Sequence, residues 1–271
     1  MKLSEKRVGF LGFGHMAQTL CLGFARAKLI PRSQITFVQR DTHKSKENEK
    51  RFGVTASSLE GVVRESDFLI LAVRPNQVEI LARDLIGTAM EQKGLVSLIA
   101  GLKLERVKEL FPRAGSYARV MPNLASEVGE GMTTYTLPVG EDASFASAVH
   151  LLFASSGQAL QISEALMDAA AAVAGSGPGF VFRMIEAAAR FAENEGFLYP
   201  DALKMAAQAF LGASKLILSG HLPPDLVRQI ATPNGMTEAG LRVMDQTRIE
   251  ESIQKTLAAA MERSKTLATP R

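Results

Sequence analysis

The sequence predicts an α/β protein, with a parallel sheet in the first half of the chain and helices alone in the second. Three observations carry this prediction. Short apolar runs alternate with helical stretches as far as about residue 160, the pattern of strands joined by crossover helices. Beyond residue 162 the strand-like runs stop, and Ala, Leu and Met recur at helical spacing nearly to the C-terminus. A glycine-rich turn follows the first apolar run and opens the first helix.

Taken in order, residues 8–11 form the first strand and 15–27 the first helix. Strands follow at 35–38, 68–73 and 95–99. These runs are apolar throughout rather than alternating, so helices should cover both faces of the sheet. Helices are expected over 44–52, 77–86 and 104–111, with Gly53 and Gly87 as stops. The second half reads as helices over 164–174, 179–195, 200–219, 225–231, 237–245 and 249–265. Between them lie helix breakers: Gly175-Ser176-Gly177-Pro178-Gly179, Pro223-Pro224 and Pro233-Asn234-Gly235. The tail, 266–271, is expected to fray. Two domains result, 1–162 and 163–271. Stretches 167–174 and 205–213 are apolar on more than one face, and a small helical domain has too little interior to bury them. A helical dimer is the expected solution.

Composition narrows the function. Of 271 residues, 46% are hydrophobic and 22% charged, which excludes extensive disorder. The 31 basic and 28 acidic residues are scattered, without the one-sided clustering that nucleic acids select; no nucleic-acid partner is expected. The single cysteine, Cys21, cannot pair within the chain and fits a buried position in a reducing compartment. Residues 1–7 lack a signal-peptide layout, and no apolar stretch is read as long enough to span a bilayer. The expectation is a soluble cytoplasmic protein that does not engage a membrane. His15, His43, His150 and His221 are far apart and form no ligand-spaced cluster, so no metal is expected. Gly175-Ser176-Gly177 is not a nucleophile elbow.

The strongest motif is Gly12-Phe13-Gly14-His15-Met16-Ala17, a G-x-G-x-x-A turn between a strand and a helix. Its first glycine permits the tight turn, its second admits a pyrophosphate, and Ala17 lets the helix pack on the strand. This assigns the first domain to the Rossmann dinucleotide-binding class, with phosphate at the helix N-terminus. After the second strand, Arg40, Thr42 and Lys44 are suited to a 2′-phosphate, Arg40 bidentately. NADPH is preferred on that pattern, and Asp41 keeps NADH as the alternative. Ala72-Val73-Arg74-Pro75 and Ile99-Ala100-Gly101 fall beyond strand ends and are cofactor-edge candidates; Pro75 also suits a helix start, and Gly101 a simple turn. In Arg119-Val120-Met121-Pro122-Asn123, Asn123 either orients the nicotinamide amide or the substrate, or marks a turn.

With these motifs the chain resembles the pyrroline-5-carboxylate reductases, over nearly its whole length. The resemblance rests on the glycine turn, Ala72-Val73-Arg74-Pro75, and Arg119-Val120-Met121-Pro122-Asn123 with Val128-Gly129-Glu130-Gly131-Met132. It extends to Gly175-Ser176-Gly177-Pro178 and to Thr232-Pro233-Asn234-Gly235-Met236-Thr237 with Ala239-Gly240-Leu241. It implies reduction of a cyclic imine to L-proline, the last step of proline biosynthesis. It also implies a Rossmann domain followed by an all-α dimerisation domain, an active site between the domains at the dimer interface, and in some members a ring of dimers. Ser176 and Gly177, with Asn234, Gly235, Met236 and Thr237, would bind substrate. The N–H groups around Gly235, Met236 and Thr237 would hold its carboxylate, and the Thr237 hydroxyl would approach the ring nitrogen.

The chain departs from the family where Asn234-Gly235 replaces two glycines, Met236 a small residue, and Asn123-Leu124-Ala125 a proline-bearing turn. Ser57-Ser58-Leu59-Glu60 lacks a cofactor-facing Asn. Residues 179–195 hold Arg183, Glu186 and Arg190 but no lysine, the proton donor of relatives that reduce ketones. Pro233-Asn234-Gly235 feeding a helix is by itself suited to an anion, while Asn234 or Thr237 read alone is equally suited to capping. The rival readings are a reductase of another cyclic imine or a hydroxyacid, and a regulator that senses NADPH without turnover.

Overall fold

The computed structural model describes residues 3–267. β1 (Val8–Leu11) leads through a turn into α1 (His15–Arg26), and β2 (Ile35–Val38) into α2 (Thr42–Phe52). Next come β3 (Thr55–Ala56), α3 (Leu59–Glu65), β4 (Phe68–Leu71), α4 (Val78–Asp84), β5 (Gly94–Ser97), α5 (Leu104–Leu110) and β6 (Ser116–Met121). β7 (Gly131–Thr136), α6 (Ala143–Ala154) and β8 (Gly157–Gln161) complete one sheet of order β3-β2-β1-β4-β5-β6-β7-β8. Only β6 and β7 pair antiparallel. The first six strands take the order of a doubly wound dinucleotide fold, whose crevice opens where the order reverses, beyond the carboxyl ends of β1 and β4.

Helices cover both faces because the strands are apolar on both. α1 buries Ala17, Leu20, Cys21 and Phe24, an i, i+3, i+4, i+7 stripe, against one face. Phe10, Phe37, Phe52 and Phe153 complete that core. On the other face Val62, Leu69, Leu71, Leu81 and Val107 form a second. The strands missing from the sequence reading are β3, only two residues long, and β6, β7 and β8, in which Thr, Ser, Gln and Arg interrupt any apolar run. The expected strand over 68–73 ends at Leu71, leaving Ala72 and Val73 at the crevice.

The chain divides into two compact units, residues up to Ser176 together with those from Ala258, and Gly177–Leu257. The first contains α7 (Met167–Ala170). The second contains α8 (Gly177–Asn194), α9 (Tyr199–Leu218), α10 (Pro223–Ile230), α11 (Met236–Gln246) and the first part of α12 (Ile249–Thr266). α8 and α9 turn back on each other through Gly196, at φ +102°. Ala189 is the one fully buried residue of α8, and Ala202 that of α9.

Two expectations are corrected here. Gly175-Ser176-Gly177-Pro178-Gly179 separates two helical segments by the single residue Ser176 rather than by a five-residue linker. α7 passes into a π-helical segment, Ala171–Gly175, and α8 begins at Gly177 after a bend at Ser176. Pro178 is tolerated because it is the second residue of α8, where few N–H groups have acceptors. The run Glu164–Asn194 therefore contains an 18-residue window long and apolar enough to cross a membrane by length and composition alone, where the sequence reading expected no such stretch. α12 continues through Thr266 and Leu267 forms a turn whose N–H bonds to the Ser264 carbonyl, while residues 268–271 of the expected frayed tail lie outside the described residues.

Candidate active site

The glycine turn is built for close approach. Gly12 sits at φ +95°, and a Cβ there would stand 2.8 Å from the Ala72 carbonyl oxygen, so any side chain would be both strained and obstructed. Gly14 precedes α1 in extended backbone, and nothing lies within 4 Å of where its Cβ would be. The first bond of α1 runs from the Gln18 N–H to the Gly14 carbonyl, so the N–H groups of His15, Met16 and Ala17 have no acceptor within the helix. An open backbone surface with free donors at a positive helix end fits a pyrophosphate. Phe13 contributes backbone alone, since its ring is buried and stacked on Phe37 at 4.2 Å. Ala17 is buried beneath the turn, Met16 half-buried and His15 exposed. Along the crevice, Ala72, Val73 and Ala100 are half-buried and Arg74 is exposed. Pro75 opens a 3₁₀ turn whose Gln77 side chain accepts from the Arg74 N–H at 3.2 Å, and Gly101 turns the chain at φ +76°.

Beyond β2, Gln39 Oε1 accepts from Asn48 Nδ2 at 2.9 Å. Asp41 caps α2 by accepting from the Lys44 N–H at 3.0 Å, and that bond holds its carboxyl below the usual carboxylate range. Lys44 Nζ stands 4.0 Å from the same carboxylate, and His43 3.5 Å from Glu47. Arg40 and Thr42 are exposed, and Arg40 enters no ion pair among the described residues. The acid that would favour a ribose diol is thus engaged with its own helix, while the guanidinium is free.

The second unit presents the loop ahead of α11. Asn234 adopts φ +59°, the left-handed conformation that Asn tolerates best after glycine. Gly235, not Asn234 or Thr237, is the cap of α11, and a Cβ there would come within 2.5 Å of Thr232 Oγ1. Glu238 Oε2 accepts from the Asn234 N–H at 2.7 Å and closes the loop. The first backbone bond into α11 is from Ala239 to Gly235, which leaves the N–H groups of Met236, Thr237 and Glu238 without backbone acceptors. Met236 is 94% exposed. Thr237 is half-buried, and no side-chain bond of its hydroxyl is formed among the described residues.

In the first unit, a polar cluster ties β6 to the helical segments that precede Ser176. Arg119 on β6 is 2% exposed, and its Nη1 donates to Glu164 Oε1 at 2.6 Å, with Nη2 3.7 Å from Asp168 Oδ1. Ser264 donates to Asp168 at 2.8 Å. Asn123 is buried; its Oδ1 accepts from the Ala125 N–H at 3.1 Å, and its Nδ2 donates to the Ala174 carbonyl at 2.9 Å. Ser176 is exposed and Gly177 half-buried. The sequence reading assigned Arg119, Glu164 and Asp168 no role; the readable signal was an arginine inside an otherwise apolar strand. Cys21 is no nucleophile, since burial pushes its thiol up to about 12.

Comparison with known proteins gives these features a family. A family model described as pyrroline-5-carboxylate reductase dimerisation matches residues 164–267, and one described as NADP oxidoreductase coenzyme F420-dependent matches residues 7–101. The chain is 32% identical to a pyrroline-5-carboxylate reductase of Methanosarcina acetivorans over 267 residues, 98% of this chain and 99% of the relative. It is 31% identical to one from Arabidopsis thaliana, over 97% of this chain and 95% of the relative. Its fold matches the crystal structure of Plasmodium falciparum pyrroline carboxylate reductase with NADP bound, at a TM-score of 0.90 and 24% identity, covering 98% and 100% of the two chains. A pyrroline-5-carboxylate reductase structure from Coxiella burnetii matches at a TM-score of 0.85 and 25% identity, covering 98% and 99%.

Proposed function

The chain belongs to the pyrroline-5-carboxylate reductase family, and from that membership we propose that it reduces 1-pyrroline-5-carboxylate to L-proline, the closing step of proline biosynthesis. The observation that carries the reading is Thr237, whose hydroxyl is unengaged beside three backbone N–H groups without backbone acceptors. That group of donors and hydroxyl suits a carboxylate carried next to a ring nitrogen.

NADPH, when bound, supplies the hydride. Gly12, Phe13, Gly14, His15, Met16 and Ala17 hold its pyrophosphate through backbone groups, and Arg40 takes the 2′-phosphate. Ala72, Val73, Arg74 and Pro75, with Ala100 and Gly101, line its path along the crevice. Asn234 and Gly235 shape the substrate loop, and the N–H groups of Met236, Thr237 and Glu238 bind the imine carboxylate. The Thr237 oxygen accepts the N–H of the protonated imine, keeping the nitrogen protonated while its carbon gains hydride. Ser176 and Gly177 complete the substrate's surroundings. No strong base is required, so the chain contributes orientation and fixed dipoles. A homodimer built on the helical unit, in the cytoplasm, completes the reading, with a ring of dimers as the larger assembly the family allows.

Steady-state oxidation of NADPH with the cyclic imine tests this directly. Turnover is expected. Binding of NADPH without turnover would replace the enzyme by a sensor, and preferential turnover of a hydroxyacid would replace the substrate. Within the reductase reading, Thr237→Ala should lower kcat about tenfold, on the order of 1.4 kcal/mol. NADPH affinity and melting temperature should stay close to wild type, because Thr237 does not cap α11. Undiminished turnover would remove Thr237 from the chemistry.

A further inference from the structure

We infer that Asn123 is a positioning residue, holding the π-helical segment Ala171–Gly175 in register and thereby fixing where Ser176 and Gly177 stand. The inference rests on the reductase reading above. Three alternate positions of one stretch, 119, 121 and 123, reach the helical run that carries those residues. Arg119 binds Glu164 and approaches Asp168 at its beginning. Met121 lies against Gly175, where an added Cβ would meet its Cγ at 3.4 Å. Asn123 donates to the carbonyl of Ala174 at 2.9 Å.

The last contact has a covalent reason. In an α-helix the Ala174 carbonyl would accept from the N–H of residue 178, and that residue is Pro178, which has none. One turn earlier the ladder has already widened, since the Ser176 N–H bonds to the Ala171 carbonyl, five residues back. The α-helical donor to this carbonyl is thus missing, and Asn123 supplies a bond to it from 51 residues away in sequence. The same side chain is anchored by the Ala125 N–H, so its amide cannot rotate away without losing both bonds. A π-bulge adds one residue to a turn and is seldom retained without a cause. If the segment relaxed to α-helix, Ser176 and Gly177 would shift about 100° around the axis relative to the residues before it. Asn123 therefore acts on the substrate side through backbone register, without touching the imine.

Asn123→Asp is the discriminating variant. It keeps the size and the oxygen that accepts from Ala125, but turns an acceptor toward the Ala174 carbonyl. Its kcat/KM for the cyclic imine should fall about tenfold or more, while NADPH affinity, measured by calorimetry, changes by less than about twofold. A matching loss of NADPH affinity would overturn the inference in favour of direct cofactor contact, and a lowered melting temperature with normal imine kinetics would overturn it in favour of a purely structural role. Should Asn123→Asp fail to fold, Asn123→Ser serves under the same expectations, because serine still caps but cannot reach Ala174. Adding Pro178→Ala to Asn123→Ser returns a helical donor to the carbonyl, so melting temperature should recover while imine kcat/KM stays low. Recovery of both would show that register does not matter. A crystal structure of Asn123→Ser should show residues 171–176 as α-helix, and a retained π segment would sink the inference whatever the substrate. Failure of the wild-type chain to reduce the imine would instead sink the reductase reading.

Discussion

At the scale of single residues, cofactor choice turns on which charges are already engaged. Asp41 and Arg40 are neighbours, yet their environments separate them. Asp41 accepts the Lys44 N–H and works as the cap of α2, so a ribose hydroxyl would have to compete with its own helix. Arg40 is exposed and without an ion pair among the described residues, and a guanidinium in that state is matched to a phosphate dianion. Arg40→Ala should therefore weaken NADPH about tenfold or more while leaving NADH within about twofold, as read from the two dissociation constants. Equal losses would show that Arg40 serves some part of the nucleotide common to both. Asn234 illustrates another residue-level choice: its φ of +59° is a conformation that glycine adopts most readily and Asn next, and the Glu238 carboxylate on its N–H fixes the loop despite the added side chain.

At the scale of elements, what could be read from the chain depended on how locally each element is determined. The glycine turn was legible because a strand end, a left-handed Gly12 and a helix start are specified within ten residues. β1, β2, β4 and β5 were legible because both of their faces are covered. β7 was not, since Thr133, Thr134 and Thr136 are buried polar side chains that read as exposed. The π-helical segment was illegible for a different reason: the Asn123 amide that bonds its Ala174 carbonyl lies 51 residues away in sequence. The Arg119 cluster is likewise long-range, joining β6 to α7 and α12. Arg119→Met tests its weight. Removing one partner of a buried pair leaves the others uncompensated, at about 3–5 kcal/mol when burial is complete. Glu164 is a third exposed, so about 2 kcal/mol is expected here, a fall of several degrees in melting temperature. Calorimetry showing no fall would mean that Arg119 is held at no net gain.

For the molecule as a whole, the argument turns on what a single chain leaves uncovered. Phe191 is 68% exposed, Leu198 73%, Leu218 80% and Leu222 64%, all within the second unit. Apolar surface on this scale does not stay open in a soluble monomer. The run Glu164–Asn194 poses the same question, because its most apolar window is only 17% buried. A bilayer is a poor answer for that run. Glu164 and Asp168 are tied to Arg119, and α8 carries Arg183, Glu186, Arg190 and Glu193 along its length, charges that lipid would have to desolvate. A second copy of the chain answers better, since residues 164–267 match a dimerisation model and Phe191, Leu198, Leu218 and Leu222 all fall within that match. Analytical ultracentrifugation at about 1 µM should then show dimer or a multiple of it, with no monomer, as expected for a tight obligate interface. Phe191→Glu combined with Leu198→Glu should release monomer, at a cost to stability, because burying two carboxylates at a former apolar contact is strongly unfavourable. A wild-type chain that sediments as a folded monomer and still reduces the imine would refute the dimer, and would require the exposed phenylalanine and leucines to be covered within one chain.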